Sequence, residues 1–323
     1  MAIDPKRYDE CVNFIKDNNN YLIVTHVNPD GDTIGGALAM AHMLEGLHKK
    51  FQIVNEDRIP NKYLFLPMAD EIRMPAELEE TIDVVITVDC ADYKRIGTSL
   101  ISRLSQLSIP IINIDHHPTN DEYGSINIID EDAASTTYVI YNMCKMTGID
   151  ITYNMAINLY TGLMTDTGSF KYSNTSADVH RVASELIDIG IDVYEVAEKV
   201  FETNTLDNLL VLKNSLATLT VDETGKIASI EIVTDEISQS QVLESEGLVN
   251  YPRSIEGVEV AVSFKKIEQD KVKVGLRSKK YVDVSVIAQI FNGGGHKRAS
   301  GCTIMDSIEN VKKTVFNEIK KYV

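Results

Sequence analysis

The sequence predicts an α/β protein: an N-terminal parallel sheet with helices on both faces, followed by a smaller α/β domain on a mixed sheet. Three observations point there. Short β-branched apolar runs alternate with helix-period runs through the first half of the chain, which is the pattern of βαβ units. Three of those runs end in turns that carry Asp or His, as happens where one edge of a parallel sheet holds a site. Past residue 190 the apolar residues shift to period-two alternation.

Taken in order, residues 21–24 form a buried first strand. It runs into His26-Val27-Asn28-Pro29-Asp30-Gly31-Asp32, where Pro29 and Gly31 mark a turn, and residues 37–44 continue as a helix. Residues 51–54 make a second strand. Residues 83–88 make a third, ending at Asp89-Cys90-Ala91-Asp92, and 110–114 a fourth, ending at Asp115-His116-His117-Pro118. A helical pattern covers 98–107. Helices follow at 135–147 and 155–164, the second running into Thr165-Asp166-Thr167-Gly168-Ser169-Phe170. Amphipathic runs at 177–189, 192–202 and 206–219 place a domain boundary near Gly190, with a first domain at 1–190, a helical linker at 191–215 and a second domain at 216–323. In the second domain 226–233, 258–264 and 271–277 read as strands. Residues 284–291 read as a helix before Gly293-Gly294-Gly295-His296-Lys297-Arg298, and a last helix closes the chain.

Composition narrows the function. With 323 residues and 44% apolar content, the chain suits two ordinary globular domains. Residues 1–10 are polar and mixed in charge, unlike a signal peptide, and no apolar run is long enough to span a bilayer. The four cysteines are widely separated and form no CxxC pair, which argues against a zinc knuckle or a disulfide framework and for a reducing cytoplasm. A formal charge of −17 argues against a protein that coats duplex nucleic acid. It leaves room for small anionic substrates, because carboxylates that hold cations inflate the negative count.

The strand-end residues carry the chemistry. His26, Asp30, Asp32, Asp89, Asp115, His116, His117 and Asp166 can converge on one sheet edge. Adjacent carboxylates repel unless a positive charge lies between them. Carboxylates with imidazoles and no thiolate suit Mn²⁺ or a similar divalent ion, and their number suits two ions rather than one. Each piece also has a plain structural reading: Asp30 and Asp115 as helix caps, Asp89, Asp92 and Asp166 as turn residues, His116 as a surface histidine. His42, His48 and His180 fall in helical patterns and are read as structural.

Four stretches together resemble the motifs of the DHH phosphoesterase family: His-x-x-x-Asp-x-Asp at 26–32, Val-Asp-Cys-Ala-Asp at 88–92, Asp-His-His-x-x-Asn at 115–120 and Thr-Asp-Thr-Gly at 165–168. Gly-Gly-Gly-His-Lys-Arg-Ala-Ser-Gly at 293–301 resembles the glycine-rich motif of the DHH-associated C-terminal domain. The likeness runs over nearly the whole chain and is nearest to the nanoRNase and phosphoadenosine phosphate (pAp) phosphatase subgroup. It implies a Mn²⁺-dependent enzyme that degrades very short oligonucleotides and dephosphorylates pAp, with two Mn²⁺ as cofactors and Mg²⁺ or Co²⁺ as alternatives. It implies one ion on His26, Asp30 and Asp89, and another on Asp32, Asp89, His116 and Asp166. Asp115 would orient a ligating histidine, and His117 would face the substrate phosphate. The expected reaction is metal-assisted hydrolysis, with water attacking phosphorus in line.

The second domain fits an anionic substrate. Between residues 265 and 298 nine basic residues stand against three acidic ones. Several of the lysines read as a solvated strand face, whereas Arg277, His296 and Arg298 read as substrate-binding. Gly293, Gly294 and Gly295 would let backbone N–H groups approach a phosphate. The expected partners are short single-stranded RNA or DNA oligonucleotides and pAp, with no membrane. A homodimer is the assembly weighed, and nothing in the sequence decides it. The rival readings are a cyclic- or linear-dinucleotide phosphodiesterase, a family II inorganic pyrophosphatase and a non-catalytic nucleotide-binding protein.

Overall fold

The structure is a computed structural model and describes residues 4–78, 81–105, 108–233 and 246–323. The chain divides into two compact units, Met1–Thr203 and Asn204–Val323. This division falls beyond Gly190 because Ile191, Val196 and Val200 are buried in the core of the first unit.

The first unit holds strands β1 (Asn20–Thr25), β2 (Lys50–Val54), β3 (Ile72–Arg73), β4 (Val84–Val88), β5 (Ile111–Asp115) and β6 (Ile126–Ile129). All pair in parallel, in the order β3-β2-β1-β4-β5-β6. The chain therefore winds outward from β1 in one direction and from β4 in the other, which makes the gap between β1 and β4 the topological switch point. Helices α1 (Pro5–Asp17), α2 (Gly31–Gly46), α3 (Thr98–Leu104), α4 (Thr136–Thr147), α5 (Tyr153–Asp166), α6 (Ala177–Asp188) and α7 (Val193–Ala197) complete the unit. The end of the predicted 98–107 helix lies outside the described residues.

Period-two alternation in β1 and β4 sends side chains to opposite faces. Tyr21, Ile23, Val84, Ile86 and Val88 join one core with residues of α1, α2, α4 and α5. Leu22, Val24 and Val85 join a second with Leu100 and Leu104 of α3. Helices thus cover both faces, as the continuous apolar runs imply. Strands β3 and β6 are absent from the sequence reading. Both are short and lie at the sheet edges, where hydrophobic patterning is weakest.

The second unit opens with α8 (Leu206–Leu216). Its sheet has the order β11-β12-β10-β9-β8-β7, formed by β7 (Thr220–Val221), β8 (Ile227–Ile232), β9 (Val260–Glu268), β10 (Lys271–Ser278), β11 (Gly294–His296) and β12 (Ala299–Ile304). Pairing is mixed: β8 and β9 are parallel and the other pairs antiparallel. A short helix α9 (Asn250–Ser254) precedes β9. Helices α10 (Val284–Ile290) and α11 (Ile308–Ile319) bury Val284, Ile287, Val311, Val315 and Ile319 against Val260, Val262, Phe264, Val272, Val274 and Leu276.

Candidate metal and phosphoester site

The site of the first unit is assembled at the carboxyl ends of the strands that flank the switch point. Chain leaving β1 supplies His26 and then Asp30, the N-cap of α2, whose Oδ1 accepts N–H bonds from Asp32 and Thr33 at 3.1 and 3.0 Å. Gly31 has no room for a side chain, since a Cβ there would lie 2.5 Å from Thr165 Oγ1. That close approach sets the start of α2 beside the end of α5, whose last residue is Asp166. Chain leaving β4 supplies Asp89, and chain leaving β5 supplies His116 and His117.

Asp89 lies between the two groups. It has a φ of 61°, a left-handed backbone uncommon outside glycine and the kind of local strain that gathers at functional sites. Its Oδ2 accepts from Thr33 Oγ1 at 2.6 Å, and its Oδ1 from Thr136 Oγ1 at 2.9 Å. His26 Nε2 stands 3.4 Å from Oδ2 and His116 Nε2 3.8 Å from Oδ1. Both imidazoles turn Nδ1 toward a backbone carbonyl, Val27 O at 2.8 Å and Ala133 O at 3.1 Å. A carbonyl only accepts, so Nδ1 carries a proton in each ring, and Nε2 is the nitrogen turned to the carboxylates.

Asp32 is buried in the first turn of α2, with its carboxylate at the N-terminus of α4. It accepts from Thr136 N at 2.6 Å, Thr137 N at 3.0 Å and Thr137 Oγ1 at 2.7 Å. The exposed N–H groups and dipole of a helix start stabilise an anion there. Asp166, whose side chain is 26% exposed, brings Oδ2 to 3.2 Å from His116 Nε2.

Charge state follows from this crowding. Burial and the neighbouring Asp89 push Asp32 up to about 6. Burial, followed by the charges of Asp32, Asp30 and Asp89, raises Asp166 well above the carboxylate range. Burial also works to raise Asp89, but a hydrogen bond from His26 and the charges of His117, His26 and His116 hold it well below the ordinary value. For His116, burial works against the charged ring, and Asp32, Asp89 and Asp115 more than offset it, so its pKa is raised. The carboxylates therefore divide into Asp89, held in its ionised form, and Asp32 and Asp166, whose ionisation burial and neighbouring carboxylates disfavour.

Ligand atoms of His26, Asp30 and Asp89 lie within 4.8 Å of one another, and so do those of Asp32, Asp89 and His116. The two triplets share Asp89. Their oxygen-rich, nitrogen-bearing and thiol-free donors fit hard or intermediate divalent cations. Every residue that the resemblance assigned to an ion lies at this edge of the sheet.

Asp115 stands against the second histidine of the triplet: its Oδ1 lies 2.7 Å from Nδ1 of His117. His116, whose ring packs against that of His117 with centroids 4.8 Å apart, turns its Nδ1 to the Ala133 carbonyl instead. Asp115, His117 and Asp89 form a further group with ligand atoms within 4.8 Å. For His117, burial favours the neutral ring but the Asp115 carboxylate outweighs it and raises the pKa. Sequence reasoning missed Thr33, Thr136 and Thr137. The run Ser135-Thr136-Thr137 before a helix, with Ser135 as its N-cap, is the signal for an anion site at a helix start.

In the second unit, Arg277 of β10 pairs in register with Ala299 of β12, and His296 of β11 pairs with the same residue. The structure thus gathers Arg277, His296 and Arg298 at one end of three neighbouring strands. Arg277 Nη1 donates to Leu276 O at 3.0 Å. Arg298 is bound into the loop after β10: Nη1 donates to Val282 O at 2.8 Å and Ser278 Oγ at 3.3 Å, and Nη2 to Lys280 O. Two of the three glycines have packing reasons. A Cβ at Gly293 would lie 2.2 Å from Gly301 O, and Gly295, with a φ of 130°, would put one 2.6 Å from Ala299 O. Gly294 faces open space.

Comparison with known proteins places these features. Residues 20–164 match the DHH family N-terminal domain, and residues 230–323 match the DHHA1 domain. The bifunctional oligoribonuclease and PAP phosphatase NrnA of Thermus thermophilus is 30% identical over 287 residues, 87% of this chain and 83% of that protein. This chain belongs to the DHH family. As a DHH-family member it is a hydrolase of the phosphoesterase class. The NrnA protein of Bacillus subtilis is 29% identical over 303 residues, 91% of this DHH chain and 92% of its own. An exopolyphosphatase-related protein from Bacteroides fragilis superposes with a TM-score of 0.87 at 28% identity, over 99% of this chain and 97% of that one. RecJ of Thermus thermophilus in complex with Mn²⁺ shares the fold, with a TM-score of 0.53 at 14% identity, over 99% of this chain and 55% of its own. Among the described residues, no helix is long and apolar enough to cross a membrane.

Proposed function

We propose that the chain is a Mn²⁺-dependent phosphoesterase that hydrolyses very short oligoribonucleotides to mononucleotides and dephosphorylates pAp. The observation that carries this reading is the sharing of Asp89 by two ligand triplets, His26-Asp30-Asp89 and Asp32-Asp89-His116. The names of its relatives in Thermus thermophilus and Bacillus subtilis support the same substrates. When bound, a pair of divalent ions supplies an acidified water and a charge clamp for phosphoryl oxygens.

The chain's own residues do the rest. His26, Asp30 and Asp89 hold one ion, and Asp32, Asp89, His116 and Asp166 the other. Thr33, Thr136 and Thr137 keep the carboxylates aimed. His117, fixed through Nδ1 by Asp115, presents Nε2 to a phosphate oxygen as a charge-assisted donor. Residues 216–323 serve as the substrate-binding domain, with Arg277, His296, Arg298 and the backbone at Gly293 to Gly295 as its substrate-binding groups. The four cysteines are buried free thiols, in keeping with a cytoplasmic setting.

Substrate length tests the reading. Extended single strands are tracked by positive grooves with aromatic platforms. This chain has no Trp, 7% aromatic residues and a charge of −17. It should repel the remainder of a long strand, more so at low salt. Initial rates in Mn²⁺ on one RNA sequence, from two to a few tens of nucleotides (a length range set by the site sizes of single-strand binders), should give kcat/KM values that fall with length. pAp should also be turned over. Rates that stay flat or rise with length reject the short-substrate reading.

A further inference from the structure

We propose that Asn120 is a positioning residue for the reaction: its side-chain amide sets the Asp115 carboxylate and, through it, the ring of His117. The proposal rests on the reading that His117 faces the substrate.

The orientation of the amide is decided by its surroundings. Asn120 Oδ1 accepts from the backbone N–H of Glu122 at 2.7 Å and from Asn113 Nδ2 at 2.9 Å. A backbone N–H can only donate, so the atom facing it is the oxygen. The Nδ2 end must then face Asp115 Oδ2, at 2.6 Å, and the Cys90 carbonyl, at 3.3 Å. Glu122 adopts a left-handed φ of 48°, which is part of the turn that returns the chain to Asn120. Asn113 comes from β5, two residues before Asp115 and on the same side of the strand.

Asp115 is fully buried, and a buried carboxylate is tolerable only when both oxygens are bonded. Asn120 provides for Oδ2, and His117 Nδ1 lies 2.7 Å from Oδ1. With Oδ2 accepting, Asp115 stays an acceptor at Oδ1 as well, so Nδ1 of His117 carries a proton whatever the charge of the ring, and Nε2 is the nitrogen left to face the substrate. Without the Asn120 donor, Oδ2 loses its partner inside the protein. The carboxylate is then free to rotate away from Nδ1, which leaves that nitrogen to the longer approach of Asp89 Oδ1, at 3.5 Å.

The test uses the full chain with Asn120→Leu, which keeps the volume and removes the amide. Ring ¹⁵N shifts of His117 in metal-free protein, read at a pH high enough for the ring to be neutral, should report a single Nδ1–H tautomer for the wild type and a mixture for the variant. In Mn²⁺, kcat on a dinucleotide should fall on the order of 10–100-fold, the usual effect of losing such an orienting partner. KM should change by less than about threefold, and metal content should match the wild type. Asn120→Ser, which is shorter and easier on the turn, carries the same expectation if the leucine variant does not fold. An unchanged tautomer overturns the proposal whatever the rate does, and so does an unchanged kcat. If the wild type hydrolyses neither dinucleotide nor pAp, the functional reading fails, while the ring signature still decides whether Asn120 sets His117.

Discussion

The backbone N–H of Thr136 donates to Asp32 Oδ2 at 2.6 Å while its hydroxyl donates to Asp89 Oδ1 at 2.9 Å, so one residue at the start of α4 ties together carboxylates from two other elements. Thr136→Val keeps the N–H and removes only the bond to Asp89. The buried carboxylate oxygen then lacks its donor, at a cost of about 1–3 kcal/mol in the metal-free protein. Metal affinity should fall roughly tenfold. Denaturant melts and a Mn²⁺ titration measure both, and an affinity equal to that of the wild type contradicts the assigned role.

Asp89→Asn tests the shared ligand. Asn tolerates the left-handed backbone at this position nearly as well as Asp, so the fold should survive. The charge at the centre of both triplets disappears. Metal content should drop sharply, and activity should fall by on the order of a hundredfold or more. Near-normal turnover in saturating Mn²⁺ refutes the two-ion assignment.

Asp32 and Asp166 predict how pH acts. Asp32 is raised to about 6 and Asp166 well above its usual range, so both bind a proton more tightly folded than unfolded. Their favourable contribution is complete below the unfolded value near 4 and is lost as pH rises through the folded values. His116 and His117, also raised, lose their contribution as pH rises further. Asp89, held low, acts with the opposite sign: its contribution is complete above the unfolded value and is lost only as pH falls into the strongly acidic range. Metal-free protein should therefore lose Tm from about pH 5 to pH 8, the span over which these groups ionise. Added Mn²⁺ should restore it by an increment that grows over the same interval, because the cation binds the ionised carboxylates. Thermal melts with and without Mn²⁺ check this, and an increment that shrinks with rising pH contradicts it.

The two arginines of the second unit should separate. Arg298 ties down the loop after β10 through Val282 O, Lys280 O and Ser278 Oγ, so Arg298→Ala should lower stability by about 1–2 kcal/mol. Arg277→Ala should raise KM with a smaller loss of stability. Equal melting temperatures for the two variants contradict the distinction.

The glycine run should separate too. Gly295→Ala meets both a positive φ and the Ala299 carbonyl, and should destabilise by on the order of 1–3 kcal/mol. Gly294→Ala enters open space and should stay within about 0.5 kcal/mol of the wild type. A loss of substrate affinity in a stable Gly294→Ala protein would place this backbone at the ligand.

The sequence by itself determined the α/β class, the strands that carry the candidate site and the acidic and histidine side chains that gather there, because these are local properties. Apolar runs set strand type at 21–24, 83–88 and 110–114, and turn chemistry marks where each ends. Only the tertiary structure decided which groups hold which. Asp32 meets Thr136 and Thr137 from more than a hundred residues away, a pairing that exists because α2 packs on α4 and that no local pattern encodes. Asp115 binds His117 rather than His116 because the fold brings the Ala133 carbonyl to Nδ1 of His116, a partner the bare Asp-His-His triplet leaves open. Arg298 reads as a substrate-binding cation beside a glycine run, and only the return of β12 onto β10 gives its guanidinium three backbone and hydroxyl oxygens to hold.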